Sequence, residues 1–226
     1  MNINFFIGYD AKEDIAYRVC KYSLLKRASI EVNVTSLKLD ELISKNLYTR
    51  MVDPLASTQF TYSRFLVPKL MNYKGWAVFC DCDFLWLEDI SKLFSLKDDN
   101  FAVMCCKHDY KPLNDLKMDG KKQLHYPRKN WSSLVLWNCS HPSNLKLDLN
   151  MVNSETGKFL HRFGWLNDNE IGSLSIEWNW LVNWYKEPKN GKPKALHFTE
   201  GGPWFSNHSN TDYADLWFKE KNEMLC

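Results

Sequence analysis

The sequence has no glycine-rich phosphate loop. Gly8 is the lone glycine where the first strand pattern meets its following turn, and only 9 glycines occur in 226 residues, so a Gly-x-Gly-x-x-Gly dinucleotide site is excluded. Charge of one sign is also missing. With 29 Lys and Arg against 27 Asp and Glu, the formal net charge is +2; such a chain carries no basic field suited to DNA or RNA, which are excluded as partners. The 7 cysteines include no Cys-x-x-Cys pair and lie mostly inside apolar runs, so they read as small buried hydrophobes rather than metal or disulfide pairs. No apolar run approaches the ~20 residues of a membrane span. The N-terminus, Met1 to Gly8, lacks the basic start and long apolar core of a signal peptide. If the chain is full length, its expected home is the reducing cytoplasm, with at most a peripheral membrane association. Internal repeats and low-complexity linkers are absent as well.

What is present in quantity is aromatic bulk: 10 Trp, 10 Tyr and 13 Phe within an ordinary balance of 45% hydrophobic and 25% charged residues. A chain of this length buries a substantial core, and a single domain over residues 1–226 is expected. A groove lined by Trp178, Trp180, Trp184 and Trp204 would suit stacking on ligand rings, although core packing is the expected role of at least two of them.

The informative stretch is residues 76–90, where an apolar run ends in Asp81-Cys82-Asp83. On extended backbone, side chains at i and i+2 point the same way, so both carboxylates aim at one point while Cys80 and Cys82 face the other way. Hard divalent cations take such oxygens and leave positions for substrate phosphates. A turn or helix cap is the bland alternative at a strand end. His197 closes a later apolar segment just before Gly201-Gly202-Pro203-Trp204. Beside Asp81 and Asp83 it completes a mixed N/O set suited to manganese or magnesium, and Gly201 and Gly202 would let backbone N–H groups approach a phosphate.

Around these motifs the periodicity alternates between strand and helix, as in an α/β fold. Strands are expected near 3–7, 32–37, 76–80, 101–106, 133–138 and 195–198. Helices are expected over 12–28 with Ile15, Val19, Tyr22 and Leu25 inward, and over 40–46, 58–70, 89–94, 151–163 and 211–221, with another opening at 168–171. Residues 107–131 are polar and basic without a period, the signature of a functional loop, here an active-site or acceptor loop.

Several of these segments, in this order, resemble glycosyltransferase family 8, the metal-dependent nucleotide-sugar enzymes that include glycogenin and bacterial lipopolysaccharide galactosyltransferases. The resemblance runs from Phe5-Phe6-Ile7-Gly8-Tyr9-Asp10 through Thr61-Tyr62-Ser63-Arg64-Phe65-Leu66-Val67-Pro68 and Asp81-Cys82-Asp83 to His197. It implies a GT-A type domain, a Rossmann-like mixed sheet flanked by helices. It further implies a Mn2+ (or Mg2+) ion on Asp81, Asp83 and His197, and transfer from a nucleoside-diphosphate sugar, a UDP-sugar foremost, with retention of configuration. Gly8, Tyr9 and Asp10 would hold base and ribose, Asp81 would also lie near the ribose, and Arg64 would contact donor sugar or diphosphate. Cys82, Ser132 and Ser133 are counted with the substrate-binding residues, as are Gly201 and Gly202. Asp168-Asn169 resembles the family's Asp-Gln pair beside the transferred sugar, which would make these two catalytic.

The chain departs from the family pattern at the phosphate end. His197-Phe198-Thr199-Glu200-Gly201-Gly202-Pro203-Trp204 lacks the family's lysine, a loss that Arg64, the Gly-Gly turn or Lys107 would have to make good. Other readings stay open: a catalytically silent sugar- or nucleotide-binding domain, or a sugar nucleotidyltransferase, although Gly8-Tyr9-Asp10-Ala11-Lys12 is a poor triphosphate loop. A phosphohydrolase would need more acidic or histidine ligands near Asp81. The acceptor, whether glycan, lipid-linked or protein, is not encoded in any motif.

Overall fold

The runs Val103–Cys106 and Leu134–Asn138 are buried at every residue, and Trp76–Cys80 at every residue after its first. Such runs belong to central strands covered on both faces. The computed structural model describes residues 2–51, 53, 56–109, 128–186 and 192–226, and places these three runs side by side in a six-stranded sheet. The strands are β1 (Ile3–Gly8), β2 (Val32–Leu37), β3 (Trp76–Cys80), β4 (Phe84–Trp86), β5 (Val103–Cys106), β6 (Leu134–Asn138), β7 (Ile171–Leu174), β8 (Trp180–Leu181) and β9 (Ala195–His197). The helices are α1 (Asp14–Arg27), α2 (Leu39–Ser44), α3 (Val67–Leu70), α4 (Ile90–Phe94), α5 (Leu149–Ser154), α6 (Gly157–His161) and α7 (Ala214–Leu225).

The large sheet has the order β2-β1-β3-β6-β5-β7, and only β6 runs antiparallel to its neighbours. The C-terminal ends of β1, β3, β5 and β7 and the N-terminal end of β6 therefore share one edge. A small sheet, β4-β9-β8, pairs Phe84 with His197. One core, with Phe5, Phe79 and Trp137 in it, covers the large sheet. A second, with Val19, Leu196 and Trp217, lies under the small one. Each fully buried aromatic or aliphatic side chain contributes roughly 1.5–3 kcal/mol, so the edge is held by a rigid scaffold. No helix among the described residues is long and apolar enough to cross a membrane.

Four helix expectations change. The segment 12–28 begins with a 3-10 turn, Ala11–Glu13, capped by Asp10. In α1 the buried face is Ala16, Val19, Cys20, Ser23 and Leu24, so Val19 alone of the expected four is buried and Leu25 is exposed. Small side chains let α1 lie close to the strands, where Ser23 Oγ accepts a 3.1 Å bond from the Trp86 N–H. Residues 58–70 hold a 3-10 turn, Ser63–Leu66, followed by α3, because Pro68 opens a helix more readily than it continues one. Residues 151–163 form α5 and α6 rather than one helix. Thr156 accepts from the Phe159 N–H at 3.2 Å and starts α6 anew. Finally, Asp168–Glu170 is a short 3-10 turn that leads into β7, not into a helix.

Candidate metal and donor site

Asp81 is still part of the sheet, since its N–H donates to Ser133 O at 2.9 Å. Two residues on, the chain crosses to the small sheet, and the Phe198 N–H donates to Asp83 O at 3.0 Å. These two backbone bonds bring β3, β6 and β9 to one point. Asp81, Asp83 and His197 meet there, each offering a ligand atom within 4.8 Å of the others. Cys80 and Cys82 point the other way into the core, as alternation requires, and burial drives both thiols well above their usual range. The side chain of Cys82 is thereby removed from the substrate-binding set.

His197 is 1% exposed and stacks on Phe84 with ring centroids 4.5 Å apart. Its Nδ1 lies 2.8 Å from Asn179 Oδ1, while Asn179 Nδ2 donates to Ser133 Oγ at 2.9 Å and Ser133 Oγ donates to Asn130 O at 2.7 Å. With the amide nitrogen committed to Ser133, Asn179 accepts from Nδ1–H. The Nε2 lone pair is left facing Asp83 Oδ1 at 3.3 Å. A fixed tautomer with Nε2 bare is the form in which histidine ligates a metal.

The carboxylates fit the same purpose. Asp81 Oδ1 and Asp83 Oδ1 are buried with no hydrogen bond made to them. Arg64 Nη1 lies 2.7 Å from Asp81 Oδ1 and meets that oxygen with positive charge, whereas Asp83 Oδ1 has only the His197 ring, at 3.3 Å. Buried anionic oxygens without donors are costly unless a cation meets them. Burial raises the Asp81 carboxyl to about 7, with Arg64 opposing the rise and Asp83 adding to it. Two carboxylates and one imidazole nitrogen suit a hard or borderline divalent cation such as Mn2+.

The other expected residues are distributed as follows. Arg64 is buried, donating from Nη1 to Ser132 O at 3.0 Å and from Nε to Phe60 O at 3.4 Å, so it braces Asp81. Ser132 Oγ is 2.7 Å from His161 Nδ1, and with Ser133 in the Asn179 network both hydroxyls serve the scaffold. Asp10 accepts from the N–H groups of Lys12 and Gln59, each at 3.0 Å. Tyr9 O–H donates to Asp14 Oδ1 at 3.0 Å, beneath Lys38. Gly8 has a steric reason: a Cβ there would lie 2.4 Å from the Phe60 ring. Gly202 has another, since its Cβ would fall 1.9 Å from the Trp204 indole. Gly201 adopts φ 113° and its N–H is committed to Phe198 O at 2.9 Å, so that N–H does not face a phosphate. Trp178 and Trp180 are core residues.

Two expectations are not brought to the cluster. Ile171 pairs with Val103, which through Trp137 of β6 is level with Ala77, four residues before Asp81. At ~3.3 Å per residue that is about 13 Å along the strands, and Asp168 and Asn169 precede Ile171. Asp168 is largely exposed and pairs with Arg128. Lys107 turns its ammonium to Ile171 O at 2.7 Å, so it does not replace the missing lysine. Of the expected loop 107–131, residues 110–127 lie outside the described residues.

Three residues at this edge carried no clear sequence signal. Asn179 sits in a Trp-Asn-Trp context that reads as core. Glu13 is 6% exposed, and burial together with Asp83, Asp10 and Asp81 lifts its carboxyl to about 8, so it is protonated at neutral pH. His108, after β5, accepts or donates at Nδ1 with Tyr185 O–H at 2.8 Å, while its Nε2 is buried without a partner. Burial and the nearby His197 lower its pKa to about 3, so it is neutral.

No protein-family model matches the chain. It is 51% identical over 222 residues to Protein CDI of Arabidopsis thaliana, covering 96% of this chain and 85% of that protein. Among solved structures it resembles the glycosyltransferase GlyE of Streptococcus pneumoniae TIGR4, with a TM-score of 0.66 at 12% identity over all of this chain, which spans only 62% of the GlyE chain. The galactosyltransferase LgtC, solved in complex with donor and acceptor sugar analogs, superposes with a TM-score of 0.63 at 10% identity, over 98% of this chain and 96% of its own. Mouse xyloside xylosyltransferase 1 follows at 0.57 and 13%, over 87% and 97%. The shared architecture is the GT-A fold.

Proposed function

The chain belongs to the family of Protein CDI, and we propose that it is a metal-dependent glycosyltransferase that moves a sugar from a nucleoside-diphosphate sugar, a UDP-sugar foremost, to an acceptor hydroxyl. The observation that carries this reading is the Asp81, Asp83 and His197 cluster, with the histidine tautomer set by Asn179, at the strand edge of a GT-A fold. These three residues would hold Mn2+ or Mg2+. The ion, when bound, supplies Lewis-acid stabilisation of the departing diphosphate.

The protein's own groups do the rest. Arg64 holds Asp81 in place and adds positive charge on the leaving-group side. Glu13, protonated at neutral pH, offers an O–H beside the carboxylates where a like-charged acid would repel the donor phosphates. The half-buried Tyr9 ring at the end of β1 offers a face for a base. Retention of configuration is proposed from the resemblance to glycosyltransferase family 8 alone. Six of the seven cysteines are buried free thiols, and we place the protein in a reducing compartment on that ground.

A second reading, a nucleotide- or sugar-binding domain without turnover, is favoured by the phosphate end of the site, where Lys107 and the Gly201 N–H are engaged elsewhere. One experiment separates the two. Purified protein with Mn2+ is offered a panel of nucleotide sugars, and released nucleoside diphosphate is measured together with the thermal shift. Turnover with one donor, lost in Asp83→Ala and His197→Ala, is expected. Binding without release supports the silent domain, and metal affinity unchanged in both variants overturns the site.

A further inference from the structure

Beside α6 lies a partly open pocket of about 420 Å3 lined by Arg128, Thr156, Lys158, Phe159, Arg162, Gly164 and Leu166. Three of the seven are cations, and no carboxylate of the described residues is among them. Arg128 has a counter-charge in Asp168 and donates to Arg162 O at 2.6 Å. Lys158 and Arg162 have no carboxylate partner among the described residues, and Arg162 Nε is buried without a hydrogen bond. Like charges four residues apart on a helix repel. The C-terminal end of α6 tolerates cations weakly, but that does not explain why Arg128 arrives from another segment at the same space. Phe159 and Leu166 supply the apolar part of the lining. Phe159 lies flat on Gly164, where a Cβ would come within 2.5 Å of the ring, so the glycine keeps that part smooth.

An oxyanion at the basic end would meet Lys158 and the fork of Arg162, and a small ring would lie on Phe159 and Leu166. The volume falls within the range of small-molecule sites, roughly 300–1,000 Å3. The cavity is also tied to the metal cluster. His161, on the same short helix, contacts Ser132 Oγ at 2.7 Å, and Ser132 O holds Arg64 against Asp81.

From this geometry we infer that the α6 cavity binds a sugar carrying a phosphomonoester, held by Lys158, Arg162 and Arg128. Binding at this pocket stands apart from the glycosyl-transfer reading. The probes are glucose 6-phosphate, glucose and inorganic phosphate, titrated by calorimetry into the wild-type chain and into Lys158→Gln/Arg162→Gln, with Mn2+ plus UDP as a separate arm.

The expected result has glucose 6-phosphate binding at least tenfold more tightly than inorganic phosphate or glucose, and at least tenfold more weakly in the double variant. The Mn2+ and UDP thermal shift should be the same in both proteins. Equal binding of inorganic phosphate and the sugar phosphate, equal binding by both proteins, or displacement of the sugar phosphate by UDP would each overturn the inference. If the double variant does not fold, Lys158→Gln alone, at an exposed position, must weaken the sugar phosphate, and binding indifferent to 0.5 M salt refutes an ionic site. Failure of the Mn2+ and UDP arm in the wild type counts against the metal site, not against this cavity.

Discussion

Replacing Asp81 by Asn should stabilise the metal-free protein while abolishing its response to metal. Burial raises the Asp81 carboxyl to about 7 from an ordinary 3.8. A carboxyl raised on folding keeps a proton that the unfolded chain releases, so stability is full below the ordinary value and falls as pH rises toward 7. At ~1.4 kcal/mol per pKa unit, the native state bears about 2 kcal/mol of this cost at pH 5 and about 4 kcal/mol at pH 8. Asparagine has nearly the same shape and no charge to bury. Asp81→Asn should therefore exceed the wild type in stability by those amounts, the gap widening with pH. Asp81 is one of the charges that lift Glu13, so its removal eases Glu13 as well and adds to the gap in the same direction. The assay is urea unfolding with a chelator at pH 5 and pH 8, then with Mn2+ in place of the chelator. Metal should restore the wild type at pH 8 and leave the variant unmoved. A variant less stable than wild type at pH 8 would refute the reasoning, as would a gap independent of pH.

Two further substitutions test the scaffold. Asn179→Leu leaves His197 Nδ1 without its acceptor, so Mn2+ affinity measured by calorimetry should fall about 10- to 100-fold; an unchanged affinity would show that the tautomer is set by something else. Gly8→Ala forces a Cβ to within 2.4 Å of the Phe60 ring and should cost about 1–3 kcal/mol in urea unfolding. The same change made in a Phe60→Ala background should cost much less, and equal costs in the two backgrounds would show that Phe60 is not the obstacle.

Much of this molecule was legible in its residues, and the misses have physical causes. Asp81 and Asp83 were readable because an i, i+2 pair on extended backbone needs no tertiary information to share a face. The strands of the large sheet were readable from short apolar runs, except β7, whose Ile171-Gly172-Ser173-Leu174 offers too little hydrophobicity to separate it from a helix start. Asp168 and Asn169 entered the expected site through their resemblance to the family's Asp-Gln pair, and a dipeptide match says nothing of which end of a strand it occupies. The inward face of α1 was misplaced for a related reason: close approach to the sheet selects Ala16, Cys20 and Ser23, residues that a hydrophobic period does not count.

Arg64 shows how the two levels divide. The family resemblance implied that it contacts donor sugar or diphosphate, yet only the packed structure turns it onto Asp81 and Ser132 O, where it is a brace rather than a free hand. Glu13, His108 and Asn179 were invisible for want of a motif, since burial and neighbouring charges set the protonation of the first two and tertiary hydrogen bonds set the role of the third. By itself, then, the sequence determined the alternating α/β architecture and the pair of carboxylates, through periodicity and backbone alternation, which are local. The meeting of β3 with β9, the Nδ1–H of His197, the protonated Glu13 and the basic pocket at α6 were decided only by tertiary structure, because each depends on which distant groups are brought into one space.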